Sequence, residues 1–271
     1  MADIAFLEKK SRLVRFEVLE AAVRGGKGHL GGTYSCVDLL VALYYGGLLK
    51  FDPKNTNDPE RDRFILSKGH ACLAVYSIYK DLEIISPEKF RTYGQDGGLG
   101  GQLDINLSGV DFNTGSLGHS VGVAAGMALA AKKNNQSFKA ATLIGDAELF
   151  EGSIWEAMMF ASENKLNNLV VIIDRNRLSV TASLEDDSVF ENFEGKVKSF
   201  GWNYYEANGH DFVDILKVFE NIKVSTKPSM VVANTVKGKG VSFMENGLKW
   251  HSGLPSTEEV ERARQELKIE D

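Results

Sequence analysis

Cysteine is scarce: Cys36 and Cys72 are the only two in 271 residues, both inside apolar segments and neither in a Cys-x-x-Cys pair. That pattern argues against a zinc centre built on thiolates and against a structural disulfide, and two buried, reduced thiols are expected. Long apolar runs are missing as well. Nothing approaches the roughly 20 residues of a membrane span, and the N-terminal stretch mixes charge into every turn, unlike the apolar core of a signal peptide. The cytoplasm is therefore the expected compartment. Basic clusters are also absent. Lys and Arg number 31 against 37 Asp and Glu, for a net charge of -6, and the lysine pairs at 9–10 and 132–133 read as solvated helix faces. Neither nucleic acid nor an anionic membrane is an expected partner. No internal repeat, low-complexity segment or linker interrupts the chain.

What remains is globular. Hydrophobic residues make up 43% and aromatic residues 10%, enough for a core, and one domain over 1–271 is expected. Residues 3–24 place Leu7, Val14, Val18 and Ala22 on one helical stripe, closed by Gly25-Gly26. Gly28-His29-Leu30-Gly31-Gly32 reads as a loop, 36–45 as an apolar helix, 63–67 as a short strand and 70–80 as a helix. Ser86-Pro87 reads as an N-cap with proline in the first turn. Residues 94–118 hold eight glycines and no periodicity; a loop that long in a compact domain is usually functional or disordered. In the helical stretch 118–133, Gly118, Gly122 and Gly126 recur every four residues and predict a face packed tightly on another backbone. The second half alternates: strands at 140–144, 169–173, 202–205 and 230–234, helices at 151–164, 191–199 and 211–222. Such alternation predicts an α/β fold, an open and mostly parallel sheet with helices on both faces. Ser256 and Glu259 form a capping box for a charged last helix.

The chemistry concentrates at Leu143-Ile144-Gly145-Asp146-Ala147-Glu148. An apolar strand ends, a glycine turns the chain, an aspartate follows, and a helix starts soon after. The next strand ends at Ile173, followed by Asp174-Arg175-Asn176. Ligands of open parallel sheets bind beyond the carboxyl ends of the strands, and one crossover separates Asp146 from Asn176, so the two are placed side by side. A carboxylate and an amide oxygen are hard donors that suit Mg²⁺ or Ca²⁺ completed by phosphate oxygens and water, not zinc. The nearby helix N-terminus adds free N–H groups for a diphosphate. On spacing alone, a capping Asp146 and a turn-forming Asn176 are the favoured account of the pair, because Gly-Asp is common.

The wider pattern resembles the thiamine diphosphate motif of transketolases. Gly28-His29-Leu30-Gly31-Gly32 and Ser67-Lys68-Gly69-His70-Ala71 are similar to their two early histidine loops. Thr114-Gly115-Ser116-Leu117-Gly118 resembles the loop that touches the cofactor, and Gly145-Asp146-Ala147-Glu148-Leu149-Phe150-Glu151-Gly152 the metal loop with its downstream glutamate. Lys237-Gly238-Lys239-Gly240-Val241 and Trp250-His251 resemble the late segment that returns a histidine to the site. The resemblance implies a diphosphate-binding domain of the thiamine diphosphate fold. It implies a metal (Mg²⁺, Ca²⁺ or Mn²⁺) held by Asp146, Asn176 and the Leu178 carbonyl. Cofactor contacts would come from Gly115, Ser116 and Leu117, from Gly145 and the backbone at Ala147, and from His70 and His251. His29 would meet the substrate's oxygens. Glu151 would lie near the subunit interface, bonded to the partner's cofactor-activating glutamate. The implied activity is transfer of a two-carbon ketol unit from a sugar or sugar phosphate to an aldose.

Three residues depart from the family pattern. Gln102 follows Gly100-Gly101 where transketolases usually have histidine; it can bond a sugar hydroxyl but cannot carry a proton near neutral pH, which points to a ketose of other stereochemistry or a non-standard donor. Ala147 replaces the usual glycine, tolerable where φ is negative. Arg175 stands where many cofactor relatives have asparagine. The chain also ends before the middle and C-terminal domains of full-length transketolases, which implies a pyrimidine-binding partner chain in an α2β2 heterotetramer. Rival readings are the α chain of a 2-oxoacid dehydrogenase, a non-catalytic binding protein, and a serine hydrolase whose elbow is Gly118-His119-Ser120-Val121-Gly122. His210, between Gly209 and Asp211, reads as a turn residue.

Overall fold

The computed structural model describes residues 3–180, 182–184 and 188–267. Asp3 caps α1 (Ile4–Gly25), accepting from the Phe6 amide at 3.3 Å, and Gly26 closes it at φ 64°. The predicted stripe of Leu7, Val14, Val18 and Ala22 is wholly buried. The expected loop at 28–32 needs correction, because Leu30–Ser35 forms a short helix, α2. Its glycines suit it because Gly31 lies against Lys237 and Trp250, and Gly32 against the His70 ring, leaving little room for a side chain. The chain continues through α3 (Val37–Tyr45), β1 (Arg63–Leu66), a 3₁₀ turn at Gly69–Ala71, α4 (Cys72–Asp81) and α5 (Pro87–Arg91). Ser86 caps α5 through the Lys89 amide at 3.1 Å. Residues 94–118 form neither helix nor strand. Next come α6 (Ser120–Lys133), β2 (Ala140–Gly145), a 3₁₀ turn at Asp146–Phe150, α7 (Gly152–Glu163) and β3 (Leu169–Arg175). After these follow α8 (Phe193–Ser199), β4 (Asn203–Asn208), α9 (Phe212–Lys223), β5 (Ser229–Asn234), a 3₁₀ turn at Leu248–His251 and α10 (Thr257–Glu266). Strand β4 runs to Asn208, beyond the expected 205, because it pairs with β5 along its whole length.

The sheet is parallel throughout, in the order β1-β2-β3-β5-β4. Side chains alternate between its faces, so each strand feeds two cores. Leu66, Leu143, Ile172 and Val231 pack with α1, α3, α4 and α9. Ile65, Ile144, Ile173 and Val232 pack with α6, α7 and α8. Cover on both faces is why the strands read as continuous apolar runs. The glycine spacing on α6 has a different basis from the one expected. Gly118 precedes the helix at φ 84°, while Gly122 and Gly126 are not packed, with no described atom within 4 Å of an added Cβ. Val121, Ala124, Ala125 and Ala128 hold the helix to the core instead. Both cysteines are buried and free. Among the described residues no helix is long and apolar enough to cross a membrane.

Candidate active site

Strands β2 and β3 pair up to Gly145 and Asp174, so Asp146 and Asn176 leave the sheet together at its carboxyl edge. Asp146 is 2% exposed. Its Oδ1 accepts from the Ala147 amide at 2.9 Å, and its Oδ2 from the Arg177 amide at 2.6 Å. The second bond spans the crossover and sets Asp146 against the residue next to Asn176. The Asn176 amide nitrogen donates to Asp174 Oδ2 at 3.2 Å and to Ser35 Oγ at 3.4 Å. A carboxylate only accepts, so this contact fixes which way the amide points and leaves Oδ1 toward the Leu178 amide, 3.2 Å away. Arg177 kinks the chain at φ 63°, and Asn176, Leu178 and Asp146 line one cleft.

Carboxylate, amide and carbonyl oxygens make a donor set for a magnesium-sized cation that keeps open positions for phosphate and water. Burial, then the Asp174 charge, push the Asp146 carboxyl up to about 6, and the Arg177 amide, the Lys68 ammonium and the Ala147 amide offset this only in part. The Leu178 carbonyl accepts from the Lys237 ammonium at 3.2 Å. Ahead of the helix start, the Ala147 N–H is taken by Asp146 and the Gly145 N–H by Glu148 Oε1 at 2.9 Å. Ala147 keeps a negative φ, as the replacement of glycine requires.

Below this edge lies a buried ion pair, Lys68 with Asp174, side chains 3% and 0% exposed. Ser35 Oγ donates to Asp174 at 2.6 Å, Thr235 donates to its other oxygen, and Lys68 also reaches the Gly32 carbonyl at 2.5 Å. Burial alone would raise the Asp174 carboxyl, but the Lys68 ammonium against it more than reverses this and holds it below the usual range.

The three candidate histidines converge from three separate segments. His29 and His70 ring centroids lie 5.0 Å apart, and each is 5.5 Å from His251. Burial, then Lys68, bring His70 down to about 2, and burial, then Lys237, bring His251 down to about 4. Burial lowers His29 also. All three rings are neutral at neutral pH, with a lone pair to offer. Gln102 packs between Gly69 and Gly115: a Cβ on Gly115 would meet Gln102 Cδ at 3.2 Å, and one on Gly69 would collide with Gln102 Oε1 and Thr114 Oγ1. It sits beside the His70 loop, on the wall of a second concavity of about 580 Å³ under the glycine-rich loop.

The remaining candidates divide. Leu117, Gly145 and Ala147 line the cleft with His70 and His251. Gly115, at φ 124°, lies next door against Gln102. Ser116 is not brought into the cleft; its hydroxyl lies 3.0 Å from His119 Nδ1. Glu151 is exposed outside the cleft, its stem against Gly118. Ser120 does not fit a hydrolase elbow: it is 3% exposed, accepts from Thr142 Oγ1 at 2.9 Å, and follows a loop, not a strand.

Sequence reasoning missed Lys68, Asp174, Lys237 and Glu148 as working side chains. The available signal was polarity where burial was expected: Asp174 ends an apolar strand, and Glu148 follows Gly-Asp-Ala. Glu148 is a latch, 2% exposed, accepting from Ser67 Oγ at 2.5 Å and from the Gly118 and Gly145 amides at 2.9 Å. One carboxylate thus ties together the loops that hold Ser67, Gly118 and Gly145. Glu148→Gln turns an N–H₂ toward these donors and is expected to cost about 1–3 kcal/mol, read as a lower midpoint in denaturant unfolding.

The likeness to known proteins follows the same lines. The family described as "Transketolase, thiamine diphosphate binding domain" matches residues 8–271. Over 267 residues, 98% of this chain and 95% of the relative, the sequence is 40% identical to one of the subunits of the apulose-4-phosphate transketolase of Phocaeicola vulgatus. It is 37% identical over 260 residues, 95% of this chain and 94% of the relative, to 6-deoxy-6-sulfo-D-fructose transketolase subunit SqwG of Clostridium sp. strain MSTE9. The solved transketolase of Campylobacter jejuni superposes with a TM-score of 0.92 at 31% identity, over 99% of this chain and 43% of that one. The chain thus spans less than half of that structure but nearly all of the two separate subunits. It belongs to the transketolase family, as a chain that carries that family's thiamine diphosphate-binding domain.

Proposed function

We propose that the cleft holds a divalent cation on Asp146, the Asn176 side chain and the Leu178 carbonyl, and through it the diphosphate of thiamine diphosphate. The observation that carries this is the 2.6 Å bond from the Arg177 amide to Asp146, which draws the two ends of the motif together. When bound, the cofactor supplies the nucleophilic carbon and electron sink for breaking a ketose C–C bond. This chain's part is positional and acid–base. Lys237, 3.4 Å from His251 Nδ1, faces the diphosphate end. His29, His70 and His251 accept hydrogen bonds from sugar hydroxyls, and His29 and His251 take up protons as charge shifts. Gln102 gives the sugar a neutral donor and acceptor in place of a titratable ring.

The partner inferred is a pyrimidine-binding chain in an α2β2 assembly. Leu117, an apolar side chain that lines the cleft, is 39% exposed, which supports a covering chain here. The donor inferred is a ketose with an anionic end, the class that the two relatives' names describe. Purified with its partner, the protein is expected to move a two-carbon unit from such a ketose to an aldose only with thiamine diphosphate and Mg²⁺. A complex that binds cofactor yet cleaves no ketose in a product-resolved assay would leave the non-catalytic reading standing.

A pH test follows from Asp146. In the free chain its carboxyl is raised from about 3.9 unfolded to about 6, so the stability it lends is full below the first value and lost as pH rises through the second. A cation prefers the ionised form. Below about pH 6 it must displace a proton, so affinity for Mg²⁺ and thiamine diphosphate is expected to fall roughly tenfold per pH unit in calorimetric titration. A flat profile down to pH 5 contradicts it.

A further inference from the structure

His210 does more than turn the chain. Its Nδ1 lies 2.6 Å from Asp38 Oδ2, and the Val236 amide donates to its Nε2 at 2.8 Å. A backbone N–H only donates, so Nε2 carries the lone pair and Nδ1 the proton that goes to Asp38. Asp38 is itself anchored, receiving both Arg15 Nη atoms at 2.9 and 2.7 Å. Burial would raise its carboxyl, but Arg15 and His210 more than reverse that. The neighbours of His210 serve its placement. The Asn208 side chain accepts the His210 amide at 3.0 Å, and Asp211 caps α9 through the Val213 amide at 2.8 Å. Gly209 donates to the Asn234 carbonyl at 2.8 Å and presses on the Thr235 methyl, where a Cβ would collide.

The segment after β5 is consequently fixed one residue at a time. Thr235 donates to Asp174, Val236 to His210, and Gly238 to the Gly31 carbonyl at 2.9 Å. Between these anchors Lys237 is 1% exposed, its ammonium on the Leu178 and Ser179 carbonyls at 3.2 and 2.8 Å.

We propose that the Asp38–His210 pair is a positioning device for Lys237: it sets the Val236 peptide so that the Lys237 ammonium stays against the Leu178 carbonyl and His251. The link to cofactor binding rests on the cleft being the thiamine diphosphate site; the link to Lys237 does not. In the full chain without cofactor, H210L is expected to raise labelling of Lys237 by an acetylating reagent several-fold in peptide mass spectrometry, with Lys68 unchanged. Its affinity for thiamine diphosphate with Mg²⁺ is expected to fall about 10–100-fold, as for loss of an outer partner of a metal site. H210Q presents a donor and an acceptor on one planar group and is expected to restore both readouts. G209A, which displaces the turn, should mimic H210L. Unchanged Lys237 labelling in H210L overturns the proposal. So does an H210Q as impaired as H210L while both melt lower, the mark of a merely structural histidine. Failure of the wild type to bind cofactor would sink the reading of the cleft, while the labelling still decides the clamp.

Discussion

Asp146→Ala is expected to weaken Mg²⁺-dependent binding of thiamine diphosphate on the order of 10³-fold, about 4 kcal/mol, and to abolish ketol transfer with it. Asp146 brings the one negative charge among the three proposed metal-facing oxygens, and magnesium is held by few protein ligands. Folding should survive. The substitution leaves the Ala147 and Arg177 amides without their acceptor, at about 1–3 kcal/mol for each buried group. It also removes a carboxylate whose ionised form is less favourable in the folded free chain than in the unfolded one. The two effects oppose each other, so the far-ultraviolet circular dichroism should be unchanged and the unfolding midpoint close to wild type. Calorimetric titration at pH 7.5 separates the outcomes: wild-type affinity in the variant removes Asp146 from the site.

The second large effect belongs to the ion pair beneath the cleft. Lys68→Met leaves Asp174 fully buried beside Ser35, Thr235 and Asn176 but without its cation. Breaking a buried pair from one side costs about 3–5 kcal/mol, a large share of the 5–15 kcal/mol by which domains are usually stable. Asp174→Leu combined with Lys68→Met removes both charges and should recover part of that loss. The sign with pH is set by Asp174. Its carboxyl is depressed in the fold, so it stabilises above its unfolded value of about 3.9 and that contribution is lost as pH falls through the folded value. Urea unfolding at pH 7 and at a pH well below about 3.9 measures this. A single variant as stable as wild type at pH 7 would show that the pair contributes nothing net. Because Asn176 is oriented by Asp174, the double variant should also lose cofactor affinity, whereas a purely global destabilisation would leave the affinity of the folded fraction intact.

How much was legible in the sequence follows from which interactions are local. The strands could be read because burial on both faces makes them continuously apolar, and Asp3, Ser86 and Ser256 announce helix starts by bonding amides three residues on. Asp146 and Asn176 could be placed together because a single crossover joins neighbouring parallel strands. Pairings across long sequence separations could not be read. Nothing near Lys68 indicates that its counterion lies 106 residues away, and His210 meets Asp38 across 172. Glycine spacing misled for the same reason. Gly31 and Gly32 sit inside a helix because other segments press on them, and Gly122 and Gly126, spaced like a packing face, meet nothing among the described residues. Ser116 and Glu151, named through resemblance, lie outside the cleft, where a covering chain would be needed to give them a role.

The most direct test is a crystal of the chain grown with thiamine diphosphate and Mn²⁺, with anomalous scattering recorded at the manganese edge. A single strong peak within about 2.5 Å of an Asp146 carboxylate oxygen, Asn176 Oδ1 and the Leu178 carbonyl oxygen, bridged to the diphosphate, is the result expected. Diphosphate bound with no metal at those three oxygens, or a peak elsewhere in the fold, would contradict the account.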